Sequence, residues 1–139
     1  MASPVDAQLI LADAAQAVGG KVSMLGAGWS VTGSPTAPQA VVGLIKVPWD
    51  RANEKLPLHL QLVDADGKPI ALTGPDGLAE QLIEFNATVE VGRPPGLTAG
   101  TPIESSFTVN VQPLPLPAGR YTWRLDIAGD VIATSFQVT

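Results

Sequence analysis

Asp64, Asp66 and Gly67 have the residue types and spacing that open a calcium loop, where carboxylates and backbone carbonyls ring the ion. A full loop also needs further oxygen ligands and a closing Glu about six residues past the Gly. Thr73 stands there instead. Asp and Gly are equally the residues of a tight turn, with Gly67 free to take a positive φ, and the turn is the reading expected. His59 is the single histidine. Without a second His or any Cys to share a metal, it reads as a solvated strand residue beside Gln61. A Ser-His-Asp triad would have to recruit it with distant partners, and the chain has no nucleophile-elbow spacing. Glu80, Glu84, Glu90 and Glu104 are the candidates for a glycosidase carboxylate pair. Glu84 and Glu90 share a strand, where a rise of about 3.3 Å per residue puts them roughly 20 Å apart. A glycosidase pair sits about 5–10 Å apart, so a solvated strand face is the better reading. Trp29 and Trp49 raise the possibility of a sugar-stacking platform. Aromatic residues make up only 5% of the chain, and core or interface is expected for both and for Trp123, with Trp49 the most exposed.

The elements that would position these residues are strands. Thirteen prolines and fourteen glycines punctuate short apolar segments, the rhythm of an all-β domain. The alternation is clearest near the C-terminus. Tyr121, Trp123, Leu125 and Ile127 point one way; Arg120, Thr122, Arg124 and Asp126 point the other. Gly129-Asp130 then reverses the chain, and Ile132, Thr134, Phe136 and Val138 repeat the pattern. Leu56, Leu58, Leu60 and Leu62 predict another inward face, as do Ile83, Phe85, Ala87, Val89 and Val91, and then Phe107, Val109 and Val111. A core of Tyr121, Trp123, Leu125, Phe107 and Phe136 follows.

The N-terminal stretch 6–18 is ambiguous. Its alanines suit a helix, but Gly19-Gly20 leads into a second apolar segment over 21–31, and a strand over 6–16 in a hairpin is preferred. Residues 32–39 and 92–102 read as long loops, Gly74-Pro75-Asp76-Gly77 as a turn, and Pro113–Pro117 as an extended connector. The spacing Leu116-x-x-Gly119-x-Tyr121 is that of the tyrosine corner of immunoglobulin-like sandwiches. With about eight or nine strands in all, the expectation is one domain over 1–139: an antiparallel two-sheet immunoglobulin-like β-sandwich with negligible helix.

One strand, 40–49, is apolar on both faces. Val41, Ile45, Val47 and Trp49 lie on one side, Val42 and Leu44 on the other. A two-sheet sandwich buries only one of these sets in its core. The other must be covered by a loop, by the N-terminal segment or by another chain. The last option makes Val42, Leu44 and Trp49 the middle of an interface with Lys46 and Arg51 at its rim.

Composition narrows the partners. Of 139 residues, 45% are hydrophobic and 15% charged, too sparse a charge for a surface wholly open to water. The net charge of −5 and the scattered basic residues disfavour nucleic acid. The chain lacks cysteine, which excludes disulfides and thiolate chemistry. No signal-peptide pattern and no membrane-spanning run is legible, so a cytoplasmic or virion location is expected.

Two blocks, Ala12–Trp29 with its Ala-Asp-Ala-Ala-Gln, Gly20-Lys21-Val22 and Leu25-Gly26 elements, and Leu60–Gly67, together with the late Gly-Arg-Tyr, resemble an uncharacterised β-sandwich family met mostly in actinobacteria and their phages. The resemblance spans most of the chain and rests on structural motifs. It implies the sandwich fold and carries over no catalytic residues or cofactors. By association it points to a virion component. Two functions follow as expectations. The first is a non-enzymatic structural or interaction module working inside a larger assembly, bound to other protein subunits or to itself, such as a capsid-decorating or accessory virion protein. The second is a free ligand-binding module for carbohydrate.

Overall fold

The computed structural model describes residues 3–73 and 80–139, so the expected turn at Gly74–Gly77 lies outside the described residues. The strands are β1 (Asp6–Ala12), β2 (Ala14–Val18), β3 (Lys21–Leu25), β4 (Val31–Thr32), β5 (Gln39–Val47), β6 (Leu56–Val63), β7 (Ala71–Thr73), β8 (Glu80–Leu82), β9 (Glu84–Val89), β10 (Ile103–Val111), β11 (Gly119–Ile127) and β12 (Asp130–Val138). A three-residue 3-10 turn, Trp49–Arg51, is the only helical element among the described residues. The number of strands exceeds the expected eight or nine because two small hairpins, β2–β3 and β7–β8, stand outside the main sheets.

The main sheets run β1-β5-β10 and β4-β12-β11-β6-β9. All pairings are antiparallel except that of β4 with β12. This is the immunoglobulin order: β5 and β10 occupy the B and E positions of one sheet, and β6, β11 and β12 the C, F and G positions of the other. The alternation predicted for the C-terminal hairpin sets its register, with Tyr121 opposite Phe136 and Trp123 opposite Thr134. Between the sheets lie Val41, Ile45, Val47, Leu56, Leu60, Leu62, Tyr121, Trp123, Leu125, Ile127 and Phe136, all buried.

The tyrosine corner is present. Tyr121 donates its hydroxyl proton to the Pro117 carbonyl at 2.8 Å. Burial pushes its phenol up, with the Asp64 carboxylate adding in the same direction, so the hydroxyl stays protonated as a donor. Immunoglobulin domains place a disulfide cysteine two residues past this tyrosine. Here Trp123 stands in that position and fills the space by itself, 0% exposed, its Nε1 donating to Gln39 Oε1 at 3.1 Å.

Two sequence expectations need correction at the N-terminus. The strand over 6–16 breaks at Asp13, whose N–H leaves β1 to bond the Leu25 carbonyl at 2.8 Å. The segment 21–31 is likewise not one strand, because Gly26 and Gly28 both take positive φ and turn the chain. At Gly26 the requirement is double: φ is +65°, and a Cβ would collide with the Asp13 carboxylate. The freed hairpin β2–β3 folds over the outer face of β5 and β10, and Asn110 fastens it by accepting from Ala15 N–H and donating to the Ala15 carbonyl.

Candidate interaction surface

The doubly apolar strand is resolved by that hairpin. Val42 is 0% exposed beneath it, so its expected place at an intermolecular contact is corrected: the chain's own N-terminal segment supplies the cover. The cover stops short of Leu44, which is 37% exposed. Leu44 lines a cleft of about 480 Å³ with Gly20 and Val22 of the hairpin tip and with Lys46. Lys46 is exposed and sits in register between Asp6 and Glu104 on the neighbouring strands. Trp49 is not part of the strand. It sits half-buried in the 3-10 turn, with the Arg93 guanidinium 4.3 Å from its ring centroid and bonded to its carbonyl. Arg51 is corrected from rim to interior. It is 9% exposed and donates to Glu54 at 3.0 Å and to the Ser3 carbonyl at 3.1 Å. Of the five residues expected at an interface, Leu44, Lys46 and Trp49 reach the surface, and Val42 and Arg51 do not.

Asp64 Oδ1 accepts from the N–H groups of Asp66 and Lys68, both at 2.9 Å, and Gly67 has φ +80°, which closes the expected turn. His59 is a partly exposed strand residue, as expected, and its Nε2 lies 2.8 Å from Glu84 Oε2 across the β6–β9 pair. Among the described residues no group of three or more His, Cys, Asp and Glu could hold a metal ion. Trp29 packs edge-on against Phe136, while one face of Trp49 is taken by Arg93, so these two rings serve separate local contacts.

A second surface escaped the sequence reading. The two flanks of the sandwich differ. On one, β1 lies against β12, and Val5 N–H donates to Asp130 Oδ2 at 3.0 Å, which closes the gap between the sheets. On the other, β9 and β10 end their sheets facing each other, with no strand between them among the described residues. The opening is an apolar groove of about 380 Å³, lined by Leu58, Leu60, Phe85, Val89, Phe107 and Val109. Phe85 and Phe107, both expected inside, therefore sit at its mouth: Phe85 is 37% exposed and Phe107 half-buried. The Phe107 ring occupies the space a Cβ would fill at Gly43, its cross-strand partner. Alternation showed which way these side chains point, but it carries no information about whether anything faces them.

The backbone at these edges can be assigned. Ala128 N–H donates to the Pro57 carbonyl at 2.9 Å, so odd-numbered residues of β6 turn their peptide groups toward β11. Leu62 N–H donates to the Ile83 carbonyl at 3.0 Å, so the even-numbered ones face β9. With Leu58 opposite Ala87, the peptide groups of Glu84, Asn86 and Thr88 point away from β6, off the free edge. Leu11, whose carbonyl accepts from Gly28 N–H, fixes the other sheet in the same way and turns Glu104, Ser106 and Thr108 off the edge of β10. Neither set includes a lysine, a proline or a bulge, and the one charge in each is a glutamate, Glu84 on β9 and Glu104 on β10.

No helix among the described residues is long and apolar enough to cross a membrane. A comparison with curated proteins finds no match. The family of unknown function DUF6941 matches residues 8–139, nearly the whole chain, and the chain belongs to that family.

Proposed function

We propose that the chain is a non-enzymatic interaction module that works inside a larger assembly, in its most specific form an accessory protein of a phage virion such as a capsid decoration protein. One observation carries this reading: the flank between β9 and β10 leaves two strand edges without lysine, proline or bulge on either side of an apolar groove. A free-standing protein commonly protects such edges because they recruit other chains. The exposed Leu44 beside its cleft and Trp49 are the further contact points available on the sheet of β5. The virion form adds the association carried by the sequence resemblance.

The test is co-expression with the products of the flanking genes, followed by size-exclusion chromatography with light scattering and a glycan array. A defined complex or a stable self-assembly, with no glycan signal, is the expected result. A monomer that ignores every flanking product and binds arrayed glycans contradicts the proposal and restores the carbohydrate module.

A further inference from the structure

Resting on the interaction-module reading above, the geometry points to strand addition: we infer that β9 receives an extended segment of a different protein as a sixth strand of its sheet. That segment carries apolar side chains at alternate positions, which enter the groove between Phe85 and Phe107, and a lysine or arginine that meets Glu90.

Three features argue for this occupant. The outward peptide groups of Glu84, Asn86 and Thr88 form a run of donors and acceptors spaced for a β-ladder, the main-chain half of peptide recognition by strand addition. The groove behind them is apolar and lies on the core side of β9, where alternate side chains of an added strand would point. The third feature is charge. Among the described residues Glu90 is the only charged one lining the groove and no basic one lines it, while Glu84 stands at the other end of β9. Complementarity therefore calls for a basic segment. The same charges disfavour a second copy of this chain in one of the two central registers open to it. Antiparallel pairing of β9 with itself about Ala87 would set Glu84 opposite Glu90 at both ends, and like charges directly opposite are destabilising.

The probe is a set of synthetic peptides of about ten residues, a usual upper strand length. One alternates valine and threonine with lysine at both ends; a second replaces the lysines by glutamate; a third interrupts the alternation with proline. Binding is followed by amide hydrogen exchange on the whole chain. The lysine peptide is expected to bind and to slow exchange at Asn86 and Thr88 by roughly tenfold or more, since those amides pass from water into a ladder. Glu90→Lys is expected to weaken the lysine peptide by about threefold to fivefold, the range of an exposed ion pair, and to favour the glutamate peptide. Asn86→Pro, at an edge position whose N–H faces outward, should keep the fold and abolish binding. Binding without protection at Asn86 and Thr88, or with protection at Ser106 and Thr108 instead, overturns the assignment to β9. Protection of Asn86 that rises with protein concentration alone overturns the heterologous partner. A chain that assembles with flanking gene products yet takes up none of the peptides overturns strand addition while the interaction-module reading stands.

Discussion

Trp123 and Tyr121 do for this sandwich what a disulfide and its neighbouring tyrosine do in many immunoglobulin domains. Trp123 is fully enclosed and meets Phe85 at 6.4 Å between ring centroids, and its indole N–H has Gln39 as acceptor. Trp123→Ala should therefore cost about 3–5 kcal/mol through the cavity it leaves, read as a fall in melting temperature. An unchanged melting temperature would place the residue on the surface and shift the register of β11 by one. Tyr121→Phe removes one hydrogen bond to Pro117 and little volume, and should cost about 1 kcal/mol by the same measurement. Arg51 and Glu54 make a pH-dependent contribution. The hydrogen bond from Arg51 holds the Glu54 carboxyl below its ordinary value of 4.5. Its contribution is thus present above that value and is lost as pH falls through the lowered one. Glu54→Gln should lower the melting temperature at neutral pH, and the gap from the parent should close in acid.

At the level of elements, the hairpin β2–β3 decides what β5 presents. Val42 lies under it and Leu44 beyond it. Val42→Glu should bury an unpaired charge and destabilise by more than about 3 kcal/mol, whereas Leu44→Lys should melt like the parent; chemical denaturation of the two variants separates them. Had both been tolerated, the hairpin would not be a fixed part of the fold. The sequence carried the strands faithfully wherever one face was dry and the other wet, as along β11, because alternation is then enforced by burial. It also carried the tyrosine corner and the Asp64–Lys68 turn, where local hydrogen bonding sets the conformation. It did not carry the break at Asp13, where the backbone N–H turns to the Leu25 carbonyl twelve residues away. Nor did it show that Arg51 folds inward onto Glu54 and Ser3. The open flank was illegible for a related reason. Phe85 and Phe107 alternate like core residues, and only the order of the strands reveals that both sit at sheet edges with no described strand between them.

For the molecule as a whole, the asymmetry between a closed flank and an open one is the feature that function must explain. Closure by β1, β12 and Asp130 shows how this chain seals a sandwich edge, and no such device lies between the described β9 and β10, the side where we propose that a partner binds. The most direct measurement is amide hydrogen exchange on the chain alone and again within the complex it forms with flanking gene products. The account predicts fast exchange at Asn86, Thr88, Ser106 and Thr108 in the free chain, with strong slowing along β9 in the complex. Slow exchange at these amides in the isolated monomer, or a complex that leaves them fast while protecting another face, would contradict it.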